Sequence, residues 1–323
     1  MDPKQRFQLG ASAGRDELGE VFKAQDPQTG QAVAVKVFDA WTLASAAGRD
    51  AYAAALRLLH GIGPARTPRI VDFHIAADSA WIATSWVEAP RLADLLGAMG
   101  VIDEQNAAAI GCGLLDALAE LHESGRAHGG ISTGKILLNE GFFPGGVVVT
   151  DPFQHYLYDV PNPVETAKNQ RERYIGVPRY YSPEQARGEQ ADIRSDVYTI
   201  GLVLYELLTG KTPFASPGDD TTLARQISEQ ALPVRFAKPG LVVSSDFEEI
   251  ITVALNKDPN KRFQSPVAMR RALASLRAHG DEAAETAHQP LGVARGAGVT
   301  TLTAAAGATA AAAAAAASRT PLT

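Results

Sequence analysis

The order of periods along the chain predicts an α+β fold with two unequal lobes. A small β-rich lobe should occupy residues 1 to about 87, and a larger helical lobe residues 88 to 277. Three features carry that expectation. Short runs of β-branched and aromatic residues, bounded by turn residues, dominate the first part. Apolar residues at helical spacing take over from Leu92. One stretch, Val197 to Leu208, is apolar nearly all round, as a helix enclosed by a large lobe must be. With 323 residues, 46% of them hydrophobic, the chain can bury a sizeable core.

Taken in order, Glu20 to Ala24 and Ala32 to Phe38 flank a Pro-Gln-Thr-Gly turn and read as a hairpin. Ala46 to Leu59 is alanine-rich and helix-prone. Two more strands are expected at Arg69 to His74 and Ala80 to Val87. Glu104 to Glu123 carries Ile110, Leu114, Leu118 and Leu121 on one helical face. Phe247 to Leu255 and Val267 to Leu276 read as shorter amphipathic helices. From 278 to 323 the periodicity is lost, and the reading is an Ala-rich low-complexity tail.

Composition narrows the function classes. Thirty Lys and Arg against 36 Asp and Glu leave a net charge of −6, which offers no attraction to nucleic acid. Cys112 is the only cysteine, so neither an intramolecular disulfide nor a cysteine zinc cluster can form. The start, MDPKQRFQLG, has no apolar core of signal-peptide length. Within the tail, residues 304 to 317 include twelve alanines. Alanine is a strong helix former and a weak hydrophobe, so membrane attachment through the tail is the less favoured alternative, and a cytoplasmic location is expected.

Five strings carry a resemblance to a known family. They are Gly19-Glu-Val-Phe-Lys-Ala24 together with Val33-Ala-Val-Lys36, Tyr180-Tyr-Ser-Pro-Glu-Gln-Ala-Arg-Gly188, Ser195-Asp-Val-Tyr through Thr-Pro-Phe214, and Lys257-Asp-Pro-Asn-Lys-Arg-Phe263. In this order and at these spacings, roughly residues 7 to 276 resemble the eukaryotic-like serine/threonine protein kinases of bacteria. The resemblance implies a protein-kinase-like two-lobed fold and a cleft for ATP and Mg²⁺. It assigns Gly14, Gly19 and Val21 to the glycine-rich loop and the strand after it, and Lys36 to the nucleotide's α/β-phosphates. Ala34 and Leu137 would line the adenine slot, with Thr84 at its back and Ser85, Trp86 and Val87 as the hinge. It also implies that Glu184 pairs with Arg262 and that Asp196 ties down the backbone near His128, roles that concern architecture more than catalysis.

The departures fall where the chemistry should be. The family's H-R-D-L-x-x-x-N is replaced by His128-Gly-Gly-Ile-Ser-Thr-Gly-Lys135. Gly130 stands at the general-base position and Lys135 at that of the metal-binding asparagine, while Gly129 replaces an arginine that often reads a phosphorylated activation segment. His128 reads as a packed structural histidine. Asp151 is kept as a possible Mg²⁺ ligand, but Pro152 and Phe153 replace the Phe-Gly pair, which should leave the loop less able to switch states. On the helix after Lys36, Ala54 or Ala55 falls where a glutamate should hold the lysine, with Asp50 one turn earlier as a substitute. Asp16 takes the place of the loop's second glycine and opposes phosphate by bulk and by charge. Val177 stands where a threonine near the base is usual.

A positioned base contributes about 10²–10⁴-fold, so the expected reading is a catalytically impaired kinase-like domain, a pseudokinase, that serves as a protein-binding or scaffold module in signalling. The alternatives are an active or weakly active ATP-dependent serine/threonine kinase and an ATP-binding sensor without transfer. Lys135 can be a solvent-facing loop lysine, or it can lie beside Asp151. There it either closes an empty pocket, the favoured version, or replaces one Mg²⁺. Thr166, Tyr156, Tyr158 and Tyr174 are conceivable phosphorylation sites in the activation segment.

Overall fold

Strand β1 (Gln8–Arg15) turns into β2 (Gly19–Gln25), and β2 into β3 (Ala32–Phe38), to start an antiparallel sheet. The computed structural model describes residues 2–39, 45–62, 66–138, 146–158 and 177–287. After β3 the chain forms helix α1 (Ala46–Ile62) and returns as β4 (Ile70–Ile75) and β5 (Ala80–Ser85). The sheet order is β1-β2-β3-β5-β4. β1 was absent from the strands expected. Its residues are largely exposed and interrupted by register shifts, so they show neither alternation nor an apolar run.

The pleat of β3 decides which face Lys36 presents. Val33 and Val35 point to one side and join Phe7, Trp81 and Ala83 in a small core. Ala34 and Lys36 therefore point to the other side, towards the larger lobe. Phe38 continues that face against Tyr52, with ring centroids 5.9 Å apart, and α1 packs there through Ala55, Leu56 and Leu59.

The larger lobe is helical. Helix α2 (Leu92–Met99) leads into α3 (Glu104–Glu123), whose N-terminus is capped by the Asp103 side chain accepting from the Asn106 N–H. Its buried face contains Ile110, Leu114, Leu118 and Leu121, as the spacing expects. A two-stranded ribbon, β6 (Ile136–Leu138) with β7 (Val147–Val149), lies on α3 and carries the site residues into the cleft. The helix Ile193–Thr209 starts in a capping box of Asp192 and Ser195 and ends at Gly210 in the left-handed conformation. It is buried along nearly its whole length. The helices Ser245–Ala254 and Pro266–Ala287 follow.

The chain separates into a unit of residues 1–282 and a second of 283–323. The last helix runs to Ala287, ten residues into the stretch read as an aperiodic tail. Its alanines there supply helix propensity without an apolar stripe. The alanine run at 304–317 lies outside the described residues, as do Thr166 and Tyr174. Among the described residues no helix is long and apolar enough to cross a membrane.

Candidate active site

The buried side chain of Asp196, near the start of the helix Ile193–Thr209, organises the loop that should hold the catalytic base. It accepts from the backbone N–H of His128 at 2.6 Å and of Gly129 at 2.9 Å, and pairs with His122 Nε2 at 2.7 Å. His128 is itself buried. Its Nε2 donates to the Thr150 carbonyl at 3.0 Å, which leaves Nδ1 to accept from the Gly130 N–H at 3.3 Å. Burial outweighs the attraction of Asp196 and lowers the imidazole pKa to about 4. This neutral histidine braces the loop.

Gly130 follows, half-buried and without a side chain. Gly129 has φ +69, and a Cβ on it would come within 2.0 Å of His155 Nδ1. His155 belongs to the short 3-10 helix Gln154–Tyr158, which packs on α1. The arginine expected in the family at position 129 is thus replaced by an imidazole from the next segment. Gln185 Nε2 donates to the Gly129 carbonyl at 2.9 Å and fastens the same loop to the close of the activation segment. Behind it, both terminal nitrogens of Arg262 donate to the Glu184 carboxylate at 2.8 Å.

Lys36 is 3% exposed and bonds two carboxylates. One is Asp151, at 2.9 Å from β7's end; the other is Asp16, from the turn between β1 and β2. The partner expected from α1 is not what meets the lysine. Asp50 and Ala54 are exposed and Ala55 is packed in the core; Tyr52 is the α1 residue whose hydroxyl feels Asp151, Lys36 and Asp16. Burial favours neutral Lys36, but Asp151 and Asp16 outweigh it and hold the ammonium charged. Burial likewise opposes the Asp16 charge, and Lys36 followed by Lys135 pulls its pKa below the ordinary value.

Lys135, 5% exposed, is not a solvent-facing loop lysine. Its ammonium stands 3.0 Å from Glu17 Oε1, in a loop-to-loop ion pair that the sequence reading did not assign. Glu17 Oε1 is buried and has no aligned hydrogen bond, so the contact is one of charge rather than of directed donation. The sequence reading set Asp16 against phosphate but did not pair it with Lys36, and it passed over Glu17, the adjacent acid opposite the second lysine.

The residues assigned to the nucleotide's base share one degree of burial. Val21, Ala34, Thr84, Ser85, Trp86, Val87 and Leu137 are all half-buried, between fully buried neighbours such as Val35, Ala83, Ile136 and Leu138. The Trp86 ring is turned outward, with Nε1 donating to Glu88 at 2.6 Å and Lys23 lying over it at 4.7 Å. Gly14 lies in β1 opposite Val21, with φ +138; Gly19 starts β2. Asp151 (φ 58) and the fully buried Phe153 (φ 68) both hold left-handed backbone, so Phe153 adopts a conformation that glycine adopts with less strain. Val177, half-buried, packs against the core of the larger lobe.

A divalent cation does not suit this donor set. The one family carboxylate kept, Asp151, is engaged with Lys36, and the second ligand position holds the ammonium of Lys135. Among the described residues no group of three or more His, Cys, Asp or Glu could hold a metal. Lys36, the residue that the resemblance gives to the phosphates, is held by Asp16.

Fold and site together define a protein kinase domain. Residues 7–273 match the family model described as the protein kinase domain, and the chain belongs to that family. It is 31% identical over 274 residues to a probable serine/threonine-protein kinase PknB of Bifidobacterium longum, spanning 80% of this chain and 38% of that protein. It is 30% identical over 292 residues to serine/threonine-protein kinase PknB of Mycobacterium tuberculosis, spanning 87% of this chain and 44% of the relative. The aligned stretch thus spans less than half the length of these relatives. Among solved structures, a double mutant of the PknI kinase domain of M. tuberculosis superposes with a TM-score of 0.64. That match has 18% identity and covers 84% of this chain and 96% of that one, which shows the fold.

Proposed function

We propose that this chain is a non-transferring member of the protein kinase family, a cytoplasmic signalling module whose folded surface binds a protein partner. The observation that carries the reading is Gly130. At the usual place of the base, position 130 itself offers a substrate hydroxyl no side chain to take its proton. Loss of a base removes about 10²–10⁴-fold from a rate that is about 1–100 per second in ordinary kinases. The cationic Lys135 at a metal-ligand position, and Lys36 bound to Asp16, remove further parts of the machinery. The architectural contacts, by contrast, are complete, with Glu184 paired to Arg262 and Asp196 to the loop. A net charge of −6 favours a protein over a nucleic acid as partner.

A second reading has its own support. The Lys36–Asp151 contact at 2.9 Å is kept, and the relatives carry the names of serine/threonine kinases. On that reading the chain is an ATP- and Mg²⁺-dependent serine/threonine kinase of low rate. Incubation of purified protein with radiolabelled ATP, Mg²⁺ and a generic protein substrate separates the two. The expected result is no incorporation above that of Lys36→Ala; incorporation that Lys36→Ala abolishes would overturn the first reading in favour of the second.

A further inference from the structure

The turn between β1 and β2 places two consecutive carboxylates on two buried lysines of the cleft. Asp16 has a donor set suited to a phosphate oxygen. Its Oδ2 takes the Lys36 ammonium, and its Oδ1 accepts the backbone N–H of Leu18 at 2.9 Å and of Gly19 at 3.2 Å. Glu17 Oε1 takes Lys135 at 3.0 Å. Both lysines are at least 95% buried.

We propose that Asp16 and Glu17 are an internal substitute for nucleotide phosphates, and that the cleft accepts a nucleoside triphosphate without divalent metal once these carboxylates leave Lys36 and Lys135. This deepens the reading of the site as non-transferring and rests on it, since a cleft that worked through Mg²⁺ would need the position held by Lys135.

The charge balance supports the exchange. With the turn down, Asp16 and Glu17 place two negative charges on Lys36 and Lys135. With the turn lifted, both charges leave the two ammonium groups, in a region of low dielectric. A polyphosphate restores the negative partners that both lysines lose. A divalent cation would have to enter next to the Lys135 ammonium, where repulsion offsets what it gains from phosphate. Val21, Ala34 and Leu137, which the resemblance gives to the adenine, are half-buried and uncharged, so they do not depend on the charges of the two acids.

The test is a fluorescence titration of the whole chain with N-methylanthraniloyl-ATP, in EDTA and again in Mg²⁺. Asp16→Asn with Glu17→Gln keeps shape and removes both charges. This variant should bind the nucleotide about tenfold or more tighter than the natural sequence in EDTA, with little change on adding Mg²⁺. Adenosine, which has no phosphates, should compete equally well against both proteins. Lys135→Asn in the variant background should weaken binding in EDTA and make the remainder depend on Mg²⁺.

Equal affinity of variant and natural protein would overturn the proposal. So would a gain for adenosine as large as that for the nucleotide, because the turn would then merely cover the slot. Tightening of about tenfold by Mg²⁺ in the protein that keeps Lys135 would overturn it too. If the double variant does not show a native melting transition, Glu17→Gln alone keeps the Asp16–Lys36 contact and should give a smaller gain of the same kind; no gain sinks the idea. Phosphate incorporation in the radiolabel assay would defeat the non-transferring reading while leaving metal-free binding as measured, so the two failures are distinguishable.

Discussion

The imidazole of His155 fills the space next to Gly129 that any side chain at position 129 would require: a Cβ there would lie 2.0 Å from Nδ1 and 2.5 Å from Cγ. His155 in turn packs on Tyr156, with centroids 4.2 Å apart, and the Tyr156 hydroxyl accepts from Arg126 at 2.8 Å. The loss of the family arginine and the seating of the 3-10 helix Gln154–Tyr158 are thus one arrangement.

Gly129→Ala should therefore destabilise the protein by about 2–4 kcal/mol, the sum of a left-handed backbone penalty and the displacement of His155. Urea unfolding measures it. Adding His155→Ala to Gly129→Ala should recover part of the loss, because the obstacle is gone while the φ of +69 remains. A loss that is the same with and without His155 would show that the two residues are independent.

Much of this was legible in the sequence, for reasons of scale. Helix α3 was readable because twenty residues repeat one period, and the Glu184–Arg262 and Asp196–His128 contacts were readable because family strings carry both partners. The partners of Lys36 and Lys135 were not. Apart from Asp151, they come from a three-residue turn 20 and 118 positions away, where Asp16 read only as an obstacle to phosphate and Glu17 had no assignment. Only the folding of β1 on β2 brings them over the cleft. Similarly, no local pattern marks His155 as the residue that takes the space beside Gly129.

The pair of Arg262 with Glu184 is buried from both sides, with Arg262 also donating to the carbonyls of Asn256 and Arg194. Truncation to Ala strands a buried carboxylate and several carbonyls. Arg262→Ala should cost about 3–5 kcal/mol in urea or thermal unfolding. Arg262→Lys should recover only a small part, since one ammonium cannot make the two parallel bonds. A loss under about 1 kcal/mol would mean that solvent reaches the pair.

Lys36 should matter for stability as well as for ligand binding. Lys36→Met removes the cation between Asp16 and Asp151, whose side chains are 24% and 21% exposed, so water softens the loss to about 2 kcal/mol at pH 7. The sign with pH follows from Asp16. In the natural protein its pKa is lowered, so its stabilisation is present above the unfolded value and disappears as pH falls through the folded one. Without Lys36 that benefit is mostly gone at every pH. The gap between variant and natural protein should therefore narrow from pH 7 to pH 3. A constant gap would assign the effect to packing.

His128 gives the steepest pH dependence expected nearer neutrality. Its folded pKa is about 4 against an ordinary value near 6.5, because burial penalises the cation more than Asp196 favours it. Between those values the unfolded chain binds a proton that the folded one refuses, so stability rises with pH and is lost as pH falls from about 6.5 towards 4. The full cost is on the order of 3 kcal/mol. His155, also lowered by burial, acts in the same direction. Urea unfolding from pH 7 to 4.5 should show the decline, and His128→Gln should flatten it by about one proton's slope while lowering stability at pH 7 through the lost bonds to Thr150 and Gly130. An unchanged slope in His128→Gln would mean that His128 is protonated in the folded protein. The link between the Thr150 carbonyl and the Gly130 N–H would then have to be rewritten, since a charged imidazole donates from both nitrogens and cannot accept from the glycine.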